Sequence, residues 1–211
     1  MRLKNTARWL AASLLLACLV FSLPASSQQP KQLLVVGDSL SAAYNLPQAS
    51  GWVSLLSRRL EDNASPWQVI NASVSGETTS GGLTRLPALL RQHQPEIVLI
   101  ALGGNDGLRG LPVTQIQANL QRMIDLSHEA EAQVVLAGIL LPPNYGQRYL
   151  QAFENQFHQL AEHNDLTFIP FLLEGVADQI HLMQQDGIHP TQEAQPLILE
   201  TVWVELESLV N

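Results

Sequence analysis

The feature that most constrains the fold is a regular alternation between short apolar runs and longer amphipathic segments. The run at 97–102 (Ile-Val-Leu-Ile-Ala-Leu) is the clearest, since it contains β-branched residues, lacks polar alternation and stops at a glycine. Such runs are typical of strands buried on both faces. Strands that alternate with helices predict a parallel sheet, covered by helices on both faces and joined by right-handed crossovers. We therefore predict an α/β fold.

The same reading gives five strands and five helices. The strands are predicted at 33–36, 67–71, 97–102, 133–140 and 166–169. The helices are predicted at 50–60, 82–92, 112–130, 148–163 and 191–209. No linker rich in Pro, Gly or Ser divides the chain after residue 27, so residues 28–211 are predicted to form a single domain.

The first 27 residues have the pattern of a secretory signal peptide. Three basic residues precede an apolar stretch from Trp9 to Leu23, and small residues follow up to Ser27. The stretch is short for a membrane-spanning helix. We predict cleavage near Ser27 and a periplasmic or secreted protein. The alternatives are a retained N-terminal anchor and, because Leu16 fits a lipoprotein site poorly, a weaker case for lipidation at Cys18.

Loss of this segment changes the charge and the cysteine content. The remaining chain has 8 Lys and Arg against 19 Asp and Glu, a net charge of −11 with histidine neutral. An acidic chain without a basic patch argues against a nucleic-acid partner. Cys18 is the only cysteine, so the mature chain has no disulfide, thiol nucleophile or thiolate metal site.

A serine near one end of the chain and an Asp-x-x-His near the other indicate one nucleophilic site. Ser39 follows the first predicted strand, and Asp186 and His189 precede the last predicted helix. Serine needs a base to take its proton and a third group to orient that base. We predict Ser39 as nucleophile, His189 as general base and Asp186 as orienting carboxylate. Taken singly, a helix-capping serine and a helix-capping aspartate are the plain structural alternatives.

Candidate donors for an oxyanion follow the first three predicted strands. The carboxyl ends of parallel strands share one edge of a sheet, where ligands bind. Ser39 offers its own backbone N–H there, Gly76 offers a backbone N–H without a side chain in the way, and Asn105 offers a side-chain amide from the glycine-rich loop 103–110. One such donor contributes about 3–4 kcal/mol of transition-state stabilisation.

Phosphate and metal chemistry are not indicated. The 103–110 segment lacks a following Lys-Ser/Thr and contains no Gly-x-Gly-x-x-Gly, so a phosphate-binding loop is set aside. No histidine pair has the spacing of a zinc-protease helix, and we predict no metal and no cofactor. Ser39 is not in a Gly-x-Ser-x-Gly elbow, which argues against an ordinary α/β-hydrolase. Asp38 and Asp106 are predicted to hold their own turns through backbone hydrogen bonds.

Four segments, in order, resemble the four sequence blocks of the SGNH (GDSL) hydrolase family. They are Gly-Asp-Ser-Leu at 37–40, Gly76, Gly-Gly-Asn-Asp at 103–106, and Asp-x-x-His-Pro at 186–190. The segments at 71–78, 86–90, 102–110 and 142–146 are similar to the periplasmic bacterial esterases of that family. The resemblance implies a three-layer flavodoxin-like fold around a five-stranded parallel sheet, with Ser39, His189 and Asp186 as triad and Ser39, Gly76 and Asn105 as oxyanion donors.

The resemblance also implies a cofactor-free serine esterase that forms an acyl-enzyme. The family's substrates include thioesters, aryl and alkyl esters, lysophospholipids and some peptide-like esters. We expect a small-molecule acyl ester or lysophospholipid as substrate, a monomer, and no stable membrane insertion after cleavage. Acyl-CoA is a poor candidate outside the cytoplasm. The alternatives are a carbohydrate acetylesterase and a non-catalytic acyl- or glycan-binding protein on the same fold.

Four leucines are candidates for contact with an acyl chain. Leu108 and Leu111 follow the third predicted strand, and Leu140 and Leu141 follow the fourth. Burial of a fatty chain against them is worth roughly 0.8 kcal/mol per CH₂. The alternative is that these leucines complete the core.

Overall fold

The computed structural model describes residues 30–211, so the predicted signal peptide (1–27) and Cys18 lie outside the described residues. Within residues 30–211, five parallel strands form one sheet in the order β2-β1-β3-β4-β5. Their bounds are β1 Lys31–Gly37, β2 Trp67–Asn71, β3 Ile97–Ala101, β4 Gln133–Ala137 and β5 Thr167–Ile169. The α-helices are α1 Trp52–Asp62, α2 Thr79–His93, α3 Gly104–Leu108, α4 Val113–Glu129, α5 Gln147–His163 and α6 Gln195–Val210.

The two central strands divide the core into two layers. Successive side chains of a strand point to opposite faces of the sheet. Leu33 and Val35 of β1 accordingly pack with α1 and α6 on one face. Leu34 and Val36 pack with α2, α4 and α5 on the other face. All of β3 is buried, as its unbroken apolar run predicts. The predicted α/β, three-layer, five-stranded parallel architecture is therefore confirmed.

Four predictions of local structure are wrong in ways that matter for the site. Strand β4 ends at Ala137 instead of residue 140, and the next residue, Gly138, lies so close to the chain after β5 that a Cβ there would sit 2.2 Å from the Pro170 carbonyl oxygen. Helix α2 begins three residues early, at Thr79. Helix α6 begins at Gln195, after a turn. The loop predicted at 103–110 contains the short helix α3.

Candidate active site

Ser39 lies in a tight turn that leaves the carboxyl end of β1. The backbone N–H of Ala42 donates to the Asp38 carbonyl (2.9 Å), and the Asp38 carboxylate accepts from the Leu40 N–H (3.0 Å), as predicted for Asp38. Gly37 makes the turn possible, since a Cβ there would lie 2.7 Å from the Ser41 Oγ. The turn is thus built from short-range bonds and leaves Ser39 partly exposed at the sheet edge.

His189 and Asp186 lie in a second loop, the histidine loop (residues 183–190). One carboxylate oxygen of Asp186 accepts from the backbone N–H groups of Ile188 and His189, both at 3.0 Å. The other oxygen is 2.7 Å from the His189 Nδ1. A strand-like bridge between Met183 and Pro190 closes the loop. One aspartate therefore orders both the backbone and the imidazole of this loop.

The two loops meet through their catalytic candidates. His189 Nε2 lies 2.8 Å from Ser39 Oγ, although 150 positions separate the two residues. Because the Asp186 carboxylate can only accept, Nδ1 carries the proton, and Nε2 is left to accept from the Ser39 hydroxyl. The hydroxyl, the imidazole and the carboxylate are therefore linked in the order that proton abstraction from serine requires.

Asn105 stands in α3, at the end of β3, and its side-chain amide faces the nucleophile turn. Its Nδ2 donates to the Glu77 carbonyl at 3.0 Å and to the Asp38 carboxylate at 3.2 Å. Gly76 lies in an exposed turn with φ +78°, a conformation that favours glycine, and its carbonyl accepts from the Arg109 guanidinium at 3.2 Å. Within residues 30–211, the backbone N–H groups of Ser39 and Gly76 donate no hydrogen bond.

Asp106 does not hold its own turn, so that prediction is wrong. Its buried carboxylate accepts from the Thr79 N–H (2.9 Å) and the Thr79 hydroxyl (2.6 Å), and Asn119 donates to the same hydroxyl at 3.0 Å. These bonds fix α3 against the first residue of α2. The position of Asn105 therefore depends on its neighbour's contact with another helix.

The pKa values of the two carboxylates in the site, Asp38 and Asp186, are shifted in opposite directions. Desolvation raises the pKa of the buried Asp38 to about 6, against the hydrogen bonds from Leu40 and Asn105 and the charge of His189. Partial desolvation also tends to raise the pKa of Asp186. The hydrogen bonds from the His189 and Ile188 N–H groups and from the imidazole outweigh this effect and lower the Asp186 pKa to about 2. Asp186 is thus ionised at neutral pH, as a group that orients and stabilises an imidazolium must be.

A cavity of about 710 Å³ opens beside these groups. Ser39, Asn105 and His189 form part of its wall, and the other polar groups include Glu174 and Asp178. Most of the remaining wall is apolar, from Leu40, Leu108, Ile139, Leu140, Leu141, Phe171, Leu173, Met183 and Ile188. Among the described residues, no lysine or arginine lines it.

Three of the four predicted acyl-contact leucines line this cavity. They are Leu108, Leu140 and Leu141. Leu111 does not line it; it packs against the core between the sheet and α2, α4 and α5, and its carbonyl accepts from the Tyr149 hydroxyl at 2.7 Å. Leu111 therefore belongs to the core, which was the alternative to acyl contact for these leucines. The sequence reading missed the wall from segment 171–178, although its position directly after β5 puts it at the same sheet edge as Ser39.

No cluster of three or more His, Cys, Asp or Glu side chains in residues 30–211 has a geometry that could hold a metal ion. None of the helices in the same range has the length and apolar character needed to cross a bilayer.

A parallel sheet that carries linked Ser, His and Asp side chains at its carboxyl edge is the arrangement of a serine hydrolase. The sequence profile of the GDSL-like lipase/acylhydrolase family matches residues 35–196, a range that includes Ser39, Asn105 and His189. The chain belongs to this family, as the sequence blocks predict, and it is an esterase by class.

Close relatives align with this chain over nearly its whole length. The chain is 48% identical over 199 residues to Esterase TesA of Pseudomonas aeruginosa, which covers 94% of this chain and 99% of the relative. It is 42% identical over 211 residues to Thioesterase 1/protease 1/lysophospholipase L1 of Escherichia coli K12, which covers 100% and 98%. The crystal structure of TesA superposes with a TM-score of 0.83 at 50% identity, covering 85% of this chain and 99% of the other.

Proposed function

We propose that the chain is an exported serine esterase in which Ser39 forms an acyl-enzyme. His189 takes the Ser39 proton while the Oγ–acyl carbon bond forms, and then gives it to the leaving group as the ester bond breaks. Water then attacks the acyl carbon while His189 takes a proton from the water. His189 gives that proton to Ser39 Oγ as the Oγ–acyl bond breaks, which releases the acid. The single observation that carries the proposal is the pair of short contacts at His189, 2.8 Å to Ser39 and 2.7 Å to Asp186.

The backbone N–H groups of Ser39 and Gly76 and the Asn105 amide are proposed to bind the oxyanion. The two backbone donors are uncommitted within residues 30–211, which supports this role. The Asn105 Nδ2 is held between two acceptors, Asp38 and Glu77. An oxyanion carries more charge than the Glu77 carbonyl, so it competes well for one of the two amide hydrogens.

The cavity favours neutral esters with an extended acyl group over acetylated carbohydrate. Its wall is mainly apolar, and each CH₂ buried there gains roughly 0.8 kcal/mol. Acyl-CoA is disfavoured, because it carries several uncompensated phosphate charges, and Glu174 and Asp178 line the cavity with no cation from the described residues beside them. A zwitterionic lysophospholipid such as lysophosphatidylcholine carries its own cation beside its single phosphate. We propose alkyl and aryl esters, simple thioesters and lysophospholipids as the substrate range, in keeping with the name of the Escherichia coli relative.

Export and oligomeric state are part of the proposal. The basic start, apolar stretch and small residues of 1–27 support a cleaved signal peptide, a periplasmic or secreted enzyme and a single domain from residue 28. We propose a monomer without stable membrane insertion. The intact mass of protein recovered from the periplasm tests cleavage: loss of about 27 residues is expected, and an uncleaved or lipid-modified chain contradicts it.

The decisive experiment is an activity series on the purified protein and its Ser39→Ala variant. The substrates are p-nitrophenyl esters from acetate to palmitate, lysophosphatidylcholine and a p-nitrothiophenyl thioester. We expect hydrolysis that rises with acyl length beyond acetate and a loss of about 10⁴-fold or more in Ser39→Ala with an unchanged melting temperature. Substantial activity in Ser39→Ala excludes this nucleophile, and a maximum at acetate favours the carbohydrate acetylesterase.

A further inference from the structure

Tyr44 contacts both catalytic loops, each through a different group. Its backbone N–H donates to the Ser39 carbonyl at 3.3 Å. Its own carbonyl accepts from the Gln184 side-chain amide at 3.1 Å. Its aromatic ring lies 4.3 Å from the His189 imidazole, centroid to centroid, with the two planes inclined by 33°. One residue therefore connects the turn that carries the nucleophile to the loop that carries the base.

The backbone on either side of Tyr44 is held in an uncommon conformation. Ala43 and Asn45 both have φ +56°, in the left-handed region that non-glycine residues seldom adopt. Asparagine tolerates this region, but alanine does not favour it. The buried Ala43 packs so tightly that a Cβ on Gly51 would lie 2.7 Å from the Ala43 Cβ. Such strain persists only where the surroundings fix it, and it concentrates at functional sites.

Gln184 completes the connection on the side of the histidine loop. Its backbone N–H donates to the His189 carbonyl at 2.7 Å. Its side-chain amide donates to the Pro190 carbonyl at 2.9 Å as well as to Tyr44. The amide thus fixes the backbone on both sides of the Tyr44–His189 ring pair. The two rings are held together by the chain around them as well as by their own contact.

Two observations separate this role from substrate binding. Tyr44 is absent from the wall of the cavity, whereas His189 is part of that wall. The Tyr44 hydroxyl forms no hydrogen bond with any residue in 30–211. Tyr44 therefore contacts His189 through the face of its ring. The ring covers part of the imidazole, and the His189 side chain is 16% exposed.

We propose that Tyr44 is a positioning residue for the general base. Its ring holds the imidazole of His189 in the orientation that directs Nε2 at Ser39. In the proposed reaction His189 becomes a cation when it takes the Ser39 proton, and an aromatic face attracts a cation close to it. The inference rests on the proposed function, since it requires that His189 act as the base.

The test compares Tyr44→Phe, which keeps the ring, with Tyr44→Leu, which keeps apolar bulk only. Steady-state constants are measured for the full-length gene product with p-nitrophenyl butyrate and octanoate. We expect Tyr44→Phe to stay within twofold of the wild type. We expect Tyr44→Leu to lower kcat about 10-fold with KM within twofold for both esters. Equal kcat in the two variants, or a change confined to KM, overturns the proposal.

A second variant keeps the test decisive if Tyr44→Leu folds poorly. Gln184→Ala removes the amide that fixes the Tyr44 carbonyl but leaves both rings. We expect a loss of about threefold in kcat from it, and a double variant with Tyr44→Phe no worse than Gln184→Ala alone. An unchanged kcat in Gln184→Ala counts against the connection. Ser39→Ala, run in parallel, separates the two hypotheses: if it stays active, the proposed function fails, and if it is inactive while Tyr44→Leu is normal, only the role of Tyr44 fails.

Discussion

The two halves of the site are built in different ways. The nucleophile half consists of Asp38, Ser39 and Asn105, which follow central strands and contact partners far away in the chain. The histidine loop is held mainly by bonds among its own residues, with Asp186 as their common acceptor. Asp38 is 2% exposed, whereas the Asp186 side chain is 39% exposed.

Because of this difference, substitutions in the two halves should affect stability and activity differently. A change at Asp38 or Asn105 of the nucleophile half disturbs a buried network, so it should alter both stability and activity. A change in the histidine loop breaks short-range bonds near water, so it should alter activity with little effect on stability.

The largest effects are expected in the histidine loop. His189→Ala removes the proposed general base, and we expect kcat to fall by about 10⁶-fold. Asp186→Asn keeps an acceptor for the loop's N–H groups but loses the anion that orients His189, and we expect a fall of about 10⁴-fold. Both are measured with p-nitrophenyl butyrate. We expect His189→Ala to keep the wild-type melting temperature and Asp186→Asn to lower it only slightly, because the lowered pKa of Asp186 favours the folded chain but its side chain is 39% exposed. A melting temperature lowered by more than a few degrees would show that the loop supports the fold.

Asn105→Ala should affect activity and stability together. If Asn105 is an oxyanion donor, as proposed, its loss should lower kcat by about 10²- to 10³-fold. The Asp38 carboxylate also loses its amide partner, which costs about 1–3 kcal/mol of unfolding free energy. Kinetics and urea unfolding measure the two effects.

Asn119→Ala is the matched control for Asn105→Ala. Asn119 donates to Thr79 in the neighbouring network but does not line the cavity. We expect a similar stability loss with kcat within threefold of the wild type. If Asn119→Ala lost as much activity as Asn105→Ala, the catalytic effect would belong to the network and not to the oxyanion donor.

Asp38 should make the protein less stable as the pH rises. Its pKa is about 6 in the folded chain against 3.8 in the reference state, so the folded chain binds its proton more tightly than the unfolded chain. The stability that this provides is complete below pH 3.8 and is lost as the pH rises to about 6. The difference corresponds to about 3 kcal/mol.

Urea unfolding between pH 4 and pH 7 tests this on the wild type and Asp38→Asn. The difference between the two curves should change by about 2.4 kcal/mol over that interval, because the carboxyl of the unfolded chain is already partly ionised at pH 4. Asp186→Asn serves as the control, because the Asp186 pKa is lowered to about 2 and its difference curve should therefore stay nearly flat between pH 4 and pH 7. Its stabilisation is present above pH 3.8 and is lost as the pH falls toward 2. A flat Asp38 difference curve would contradict a buried, proton-binding carboxylate.

The strands were predictable because each is an apolar run that must be buried on both faces. Strand β2 agrees with its predicted bounds, and β3 differs by one residue. The start of α2 was missed because Gly81, directly before the predicted start at residue 82, resembles a helix breaker. The Thr78 side chain caps the helix by accepting from the Gly81 N–H, and a Cβ on Gly82 would lie 2.3 Å from Leu102. Glycine is required there by packing, which no local pattern reveals.

The identities of the site residues were within reach of the sequence, but their environments were not. Short motifs after predicted strands pointed to Ser39 and Asn105, and a motif before the last predicted helix pointed to His189. All three residues line one cavity. The contact of Asp106 with Thr79 and that of Tyr44 with His189 join segments with no shared pattern. Such contacts depend on how helices and loops pack in three dimensions, so a single sequence carries no signal for them.

The smallest effect is expected at the rim of the cavity, outside both halves of the site. Leu140 is 40% exposed and lines the cavity, so Leu140→Ala removes partial apolar contact with an acyl chain. We expect kcat/KM for p-nitrophenyl octanoate to fall about fivefold, with the acetate ester unaffected and stability within about 0.5 kcal/mol. Leu197→Ala is the control, because Leu197 is 44% exposed on α6 and does not line the cavity. An equal loss on acetate and octanoate in Leu140→Ala would mean that the residue acts on the catalytic groups, because a pure acyl contact must depend on chain length.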